Sequence, residues 1–474
     1  MRKALFPLAL LALLPGTALA QRPAPAPTPP TTAPPLPSAA QITLPPPPDV
    51  SDPMLAPVPP AKRILASWQE ALTYLRARST DLKIALDQVL QAEAQTRIAL
   101  SQYLPSIQGT GTYTHQLITK PGGTTIVGGV PFQSPTLPVL DAWSGNLQLQ
   151  QTLLNAQQFD QISIDELSED AAKLSVDDQK RTLALSVANQ IVSVVTAERS
   201  AEINRVGLKV ALEQLEIAKR KQALGAANGL DVVRAQQNAA NARATLVSGD
   251  ESLREAREAL GLALGIPEET SVAPGVDMAG LTQSAIGSCK IVNDVDARSD
   301  ISAARTKLEV AKRNLRNVWY SFLPTVNAQS TVAETSPASA TYPNPTWNVQ
   351  GILSVPIWDG GARYGTLRNA RAAEDIAAQQ LEALRRQAII QVEQAQRQLT
   401  VAQLADRVAT EQRDLAAQND VMTQTAYMAG QGTSLELVTA SEAHRQAELN
   451  LALSDFNVVK ARILAVLALA TCPW

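Results

Sequence analysis

His115 and His444 are the only histidines in this 474-residue chain, and Cys289 and Cys472 its only cysteines. None of the four stands beside another at the close spacing of a metal site, so neither a bound metal nor another cofactor is expected. No glycine-rich phosphate loop occurs; Gly122-Gly123 and Gly128-Gly129 fall in a stretch that reads as a surface loop. In an exported chain Cys289 and Cys472 can close one disulfide or remain two buried thiols. The carboxylates that stand out are Asp231 and Glu436, each three residues after a residue able to cap a helix, Asn228 and Thr433. A carboxylate there complements the helix dipole and completes a capping box. This is helix-terminus chemistry, and nothing in the chain assembles an enzyme's acid, base and nucleophile.

The same device occurs twice because the chain says nearly the same thing twice. Tyr103-Leu104-Pro105-Ser106-Ile107 matches Phe322-Leu323-Pro324-Thr325-Val326 at a displacement of 219, and Trp143 matches Trp347 at 204. The difference of 15 lies between these landmarks, in Lys120 to Pro138 of one copy and Pro337 to Pro345 of the other. Length that varies between fixed flanks is loop behaviour. Further on, Gly225 to Asp231 matches Gly430 to Glu436 at 205.

Around each loop the chain alternates in two-residue steps. Trp143, Gly145, Leu147 and Leu149 oppose Ser144, Asn146, Gln148 and Gln150, while Thr110, Thr112 and Thr114 oppose Gly111, Tyr113 and His115. Trp347, Val349, Gly351, Leu353 and Val355 repeat the pattern. About ten such residues make a membrane-length strand with one lipid face and one wet face. Each hairpin leads, past the candidate N-caps Asn155 and Asp359, into about 70 proline-free, alanine-rich residues ending at Gly225 and Gly430. At 1.5 Å per residue such a helix is on the order of 100 Å long, and its three- and four-residue apolar spacing suits side-by-side packing. Gly225 and Gly430 are placed to stop the helix in the left-handed conformation, and a second helix returns. One copy therefore reads helix, strand, loop, strand, very long helix, tight tip, helix.

The boundaries follow. Residues 1–20 form a signal peptide with cleavage after Ala20 and no cysteine beyond it for lipidation, and 21–62 a proline-rich disordered linker. The first repeat spans 63–265, with its first helix at about 68–103, a β-hairpin at about 105–154 and a helical hairpin at about 155–264. A connector covers 266–295. The second repeat spans 296–470, with a β-hairpin at about 324–357 and a helical hairpin at about 359–469. A net charge of -3 offers no basic field for nucleic acid. No apolar run after the signal is long enough to cross a bilayer as a helix, so a membrane role requires a β-barrel. Four strands cannot close one, and open edges are not tolerated in lipid.

The pattern over about 68–470 resembles the TolC family of outer-membrane factors. Ser354-Val355-Pro356-Ile357-Trp358-Asp359-Gly360-Gly361-Ala362-Arg363 is similar to the family's Pro-Leu-Phe-Asp-Gly-Gly turn. Tyr427-x-x-Gly430-x-x-Thr433-x-Leu435-Glu436-x-Val438-x-Ala440 is similar to its tip motif. The resemblance implies a mainly α fold with membrane β: a trimeric 12-stranded β-barrel, four strands per chain, continued by a long α-helical coiled-coil barrel with internal duplication. It implies a homotrimer in the outer membrane of a Gram-negative bacterium, extending into the periplasm and contacting outer-membrane lipid, a periplasmic adaptor and an inner-membrane pump. Gly225, Asn228, Gly229, Leu230, Gly430, Gly432, Thr433, Ser434 and Leu435 would then dock the adaptor, and Asp231 and Glu436 are candidate gate acids. Thr439 stands where some members carry a second aspartate, a departure from a double acidic gate. The function implied is a passive exit duct for a tripartite efflux or type I secretion system; the alternative is a periplasmic coiled-coil adaptor or structural protein.

Overall fold

A computed structural model describes residues 48–115, 117, 124–133, 141–274, 278–337 and 344–474. The expected signal peptide with Ala20, the linker up to residue 47, and parts of both variable loops lie outside the described residues.

In chain order, β1 (Arg63–Leu65) leads into α1 (Trp68–Arg78) and α2 (Thr80–Ser101), then β2 (Ser106–Thr114), β3 (Thr124–Val127), β4 (Val130–Gln133) and β5 (Ala142–Leu154). The first helical hairpin is α3 (Ala156–Ala223) and α4 (Gly229–Ala263). Between the copies lie β6 (Thr270–Val272), α5 (Met278–Gly287) and β7 (Lys290–Ile291). The second copy comprises α6 (Ser299–Tyr320), β8 (Thr325–Ser336), β9 (Thr346–Ser354), α7 (Ala362–Met428), α8 (Ser434–Leu467) and β10 (Ala470–Thr471).

The duplication extends to dimensions. Both α2 and α6 have 22 residues, α3 has 68 and α7 has 67, and the returning helices have 35 and 34. Each long helix is thus about 100 Å in length. Small residues let them lie close: Ala184, Ala188, Ala201, Ala211 and Ala218 of α3 are buried, as are Ala235, Ala239 and Ala242 of α4. Below the middle of the helices the packing order is α4, α3, α8, α7, and above it α2, α3, α6, α7. The described helices therefore follow one another in a row with α2 and α4 on one flank and α7 on the other.

The main apolar core sits at mid-height. Leu65, Trp68, Leu72 and Leu75 pack with Val187 and Ile191 of α3, Leu260 and Leu264 of α4, and Ile463 and Leu467 of α8. Strands β1 and β6 pair in parallel beside it, β7 pairs antiparallel with β10, and Cys289 is disulfide-bonded to Cys472. The connector is therefore a structured collar that ties residues 63–65 and 470–472 to the middle of the long helices.

Four expectations need correction. Residues 48–62, read as part of a disordered linker, are docked: Val50, Met54 and Leu55 pack on Leu208, Leu212 and Leu246, and Arg243 donates to Asp52 at 2.9 and 3.0 Å. Arg257, itself buried, donates to the Pro59 carbonyl at 2.9 Å and to Glu198 at 3.1 Å. The first helix is broken in two at Ser79, whose hydroxyl caps α2 by accepting from the Leu82 amide. Asp359 is not the N-cap of α7; Gly361 is, with φ of 92° after Gly360 at 68°, while Asp359 accepts from the Gly361 and Arg363 amides. Two consecutive left-handed residues delay the helix start, and only glycine takes them without strain. The first variable loop also contains a second hairpin, β3–β4, turning at Gly128-Gly129. Asn155, by contrast, caps α3 through its side chain, which accepts from the Gln157 and Gln158 amides.

Loss of the disulfide in Cys289→Ser is expected to lower thermal stability, because the bridge closes a 183-residue separation. The expected loss is about 2–5 kcal/mol, read as a lowered unfolding midpoint that reductant reproduces in the unmutated protein.

Candidate functional site

Two regions can do the work of a conduit: the four-stranded sheet at one end of the helices and the helix tips at the other. The sheet is antiparallel throughout, in the order β2-β5-β8-β9. Residues paired across antiparallel strands share a face, so the register sorts every side chain. One face carries the rows Ile107–Leu149–Ser330–Val349, Gly109–Leu147–Val332–Trp347 and Tyr113–Trp143–Ser336. Its large apolar groups are exposed in the single chain, as a lipid-facing surface requires. The other face carries Ser106–Gln150–Gln329–Gln350, Gln108–Gln148–Thr331–Asn348, Thr110–Asn146–Ala333–Thr346 and Thr112–Ser144–Thr335. Edge strands β2 and β9 each offer an unpaired row of backbone groups.

Where sheet meets helices, Tyr103 lies 4.3 Å from Phe159 between ring centroids, and Phe322 lies 5.7 Å from both Trp319 and Tyr364. Ile357 and Trp358 are exposed beside them. Aromatic side chains at this level suit the membrane–water boundary.

At the other end the two tips are built alike. Gly225 and Gly430 have φ of 73° and 77°. Ala226 and Gln431 donate back to the carbonyls of Lys221 and Ala426 at 2.8 and 2.9 Å, closing each long helix. Asn228 and Asp231 form one capping box, Thr433 and Glu436 the other. Glu436 accepts from the Thr433 amide at 2.8 Å and hydroxyl at 2.9 Å, and these bonds hold its carboxyl below the usual range.

The tips are also tied to each other. Ser434 is buried and donates its hydroxyl to Asp231. Lys221 donates to the Tyr427 carbonyl at 2.8 Å, with its ammonium 3.6 Å from the Tyr427 ring centroid. Burial pushes the Lys221 ammonium down, against the pull of Asp231. Of the residues singled out in the sequence, Leu230 and Leu435 present exposed apolar side chains, Gly229 opens α4, and Gly432 donates its amide to the Ala426 carbonyl. Ser434 faces inward and offers no outer surface in the single chain.

Sequence reasoning missed Lys221 and a second brace further up. Arg445 of α8 donates to Asn204 of α3 at 3.0 Å while crossing Gly207, where an added Cβ would stand 2.3 Å from the arginine Cδ. A lysine in the last helical turn is a recognisable partner for helix-end carbonyls; that those carbonyls belong to the other hairpin is not readable from spacing. The histidines bond to carboxylates, His115 to Asp141 at 2.5 Å and His444 to Asp420 at 3.1 Å.

The family profile described as outer membrane efflux protein matches residues 71–266 and 295–468, both copies of the repeat. The chain belongs to the outer membrane efflux protein family. It is accordingly an outer-membrane protein of a channel family rather than of an enzyme family. The toluene efflux pump outer membrane protein TtgC of Pseudomonas putida is 23% identical over 314 residues, covering 65% of this chain and 63% of that protein. The match thus spans under two thirds of that relative. Among solved structures, CusC is 18% identical with a TM-score of 0.72, covering 89% of this chain and 98% of that one. VceC of Vibrio cholerae is 17% identical with a TM-score of 0.68, covering 85% and 95%. At these identities the likeness concerns the fold: a mainly α outer membrane efflux protein with four membrane strands per chain and duplicated long helical hairpins.

Thr433→Ala is expected to cost about 1 kcal/mol at the start of α8, read as faster hydrogen exchange of its first-turn amides. Because the Glu436 carboxyl is lowered in the folded chain, its stabilisation is fully present above the unfolded value of about 4.3. It is lost as pH falls through the folded value, so the same amides are expected to lose protection on acidification and Glu436→Ala to abolish that pH dependence.

Proposed function

We propose that three copies of this chain form a passive exit duct, a 12-stranded barrel in the outer membrane continued by a helical tunnel. The duct would carry substrates from a periplasmic adaptor and an inner-membrane pump to the exterior. The observation that carries this reading is the sheet: one face mainly apolar, with Gln151 and Glu334 on it, one polar and uncharged face that also holds Ile352, and two unpaired edges. Lipid offers no hydrogen-bond partner to those edges. One chain cannot close, and two would give eight strands, about the smallest barrel, with an interior filled by side chains. Three leave a wet lumen, with β2 of one chain pairing to β9 of the next.

The helices support the same arrangement. On the α7 flank Val401, Leu404, Val408, Leu415 and Met422 are each more than half exposed. Their spacings of three, four and seven residues follow the heptad seam of helices that pack against a partner. The opposite flank, α4, exposes Val233, Ala240 and Val247 at seven-residue intervals. A ring of three arcs would bring α7 of one chain onto α4 of its neighbour.

At the tips, exposed Leu224, Leu230 and Leu435 beside Gly225 and Gly432 would meet the adaptor, with Asp231 and Glu436 at the entrance. Relatives are named for different cargo, TtgC as a toluene efflux pump protein and ArpC of Pseudomonas putida as an antibiotic efflux pump protein, in keeping with selection by the inner-membrane partner.

Val349→Lys puts a charge on the lipid face at a cost of about 2–4 kcal/mol near the bilayer midplane. It is expected to abolish the heat-modifiable trimer on gels and outer-membrane fractionation, whereas Asn348→Lys, one residue away on the wet face, keeps both. Leu404→Glu with Val408→Glu is expected to leave folded helices without a trimer. A fully trimeric Val349→Lys protein in the outer membrane would refute the assignment of faces.

A further inference from the structure

The two open edges of the sheet are not independent surfaces, because the duplication relates them to a junction already formed inside the chain. Strand β2 corresponds to β8 at a displacement of 219, and β5 to β9 at 204. The strand pairing obeys these displacements without a slip. Ser106 faces Gln150 in the first hairpin, and their counterparts Thr325 and Ser354 face each other in the second. The junction between the copies is β5 against β8. Its counterpart is β9 against β2, and those are the two strands left open at the edges.

We propose that the strand pair between chains repeats the register of β5 against β8, so that Gly351 of one chain faces Tyr113 of the next and Leu353 faces its Gly111. The proposal rests on the duct reading above and fixes which residues of a second copy meet. Within the chain Leu147 faces Val332, Gln148 faces Thr331, Leu149 faces Ser330 and Gln150 faces Gln329. Transposed to the open edges, these become Gly351–Tyr113, Ile352–Thr112, Leu353–Gly111 and Ser354–Thr110.

Sidedness and shape both agree with this register. Gly351 and Leu353 lie on the apolar face, as do Tyr113 and Gly111, while Ile352 and Ser354 fall with Thr112 and Thr110 on the polar face. A slip of one residue would set lipid-facing groups against wet ones. An added Cβ at Gly111 or Gly351 would meet nothing within 4 Å, whereas Gly109 and Gly145 are covered by Leu147 and Trp143 at 3.9 and 3.8 Å. Tyr113 and Leu353 are 66% and 65% exposed in the single chain. Each uncovered glycine thus stands opposite a large, uncovered side chain of the next copy, and an aromatic ring laid over a glycine across the strands is a stabilising pair. A slip of two residues keeps the faces, but it sets Gly351 against Gly111 in one direction and Leu353 against Tyr113 in the other, small on small or large on large.

The test uses the full chain, whose own two cysteines are held in the Cys289–Cys472 bond. It carries Leu353→Cys with Gly111→Cys on one face, or Ser354→Cys with Thr110→Cys on the other. One face of an antiparallel pair carries the closer, non-hydrogen-bonded positions, so at least one of the two pairs is within disulfide reach. Within a single chain the edges are three strand spacings apart, roughly 14 Å, too far for a bond. Oxidation in outer membranes, followed by denaturing gels without reductant, is expected to give covalently linked trimers from at least one pair. The link is expected to form several-fold faster than when the same cysteine is partnered two residues to either side, at Gly109 or Tyr113 for Leu353→Cys and at Gln108 or Thr112 for Ser354→Cys. The Ser354–Thr110 pair alters neither glycine and keeps the test decisive where Gly111→Cys fails to assemble. Fastest linking at a position two residues away would overturn the register while leaving the duct intact. So would assembled trimers in which neither pair links. Unmutated chains recovered from the outer membrane as monomers would instead overturn the duct reading itself.

Discussion

Backbone amides and carbonyls have no partner in hydrocarbon other than one another. A four-stranded sheet with a lipid face therefore leaves two rows of such groups, on β2 and β9, at a cost that no side chain on those strands can offset. The sheet's apolar face tells where it belongs, and its open edges tell that it cannot be there alone. The rest of the chain is arranged around that constraint. The long helices continue the open sheet as a row of helices with bare flanks, and the exposed heptad seam on α7 answers at the helical level the same incompleteness that β2 and β9 show in the sheet.

Internal duplication supplies the parts, and departures from it give the chain its polarity. Both copies provide a membrane hairpin and a helical hairpin of matching length, with glycine stops and capping boxes at the same places. Among the described residues only the first copy is covered by residues 48–62, held by Asp52–Arg243 and by the bond from Arg257 to the Pro59 carbonyl. Buried Arg257 grips the Pro59 carbonyl and Glu198 of α3 at once, so this strap is an integral part of the helical body. At the tips the copies are joined by unlike bonds, Ser434 to Asp231 and Lys221 to the Tyr427 carbonyl, so two similar hairpins meet at an asymmetric joint.

Much of this was legible in the residues because it depends on local rules. Alternation from Trp143 to Gln150 marks two faces, Asn155 caps a helix, and Gly225 and Gly430 end one; each needs only its neighbours in sequence. Most of what escaped depends on distant partners. Proline-rich composition at 48–62 reads as solvated chain, and its docking is decided by arginines almost 200 residues away. Asp359 has the type of an N-cap, but the backbone of Gly360 and Gly361 postpones the helix. The break at Ser79 was in principle readable, since Ser79-Thr80-Asp81 carries a cap and a first-turn acid. Lys221 and Arg445 act across the seam between the two hairpins, where spacing within either one is silent.

The claim on which the account turns is that the open sheet closes with two further copies of itself. Native mass spectrometry of the protein released from outer membranes in mild detergent tests it most directly. The account predicts a single assembly with the mass of three chains; a stable monomer, dimer or tetramer as the folded membrane species would contradict it.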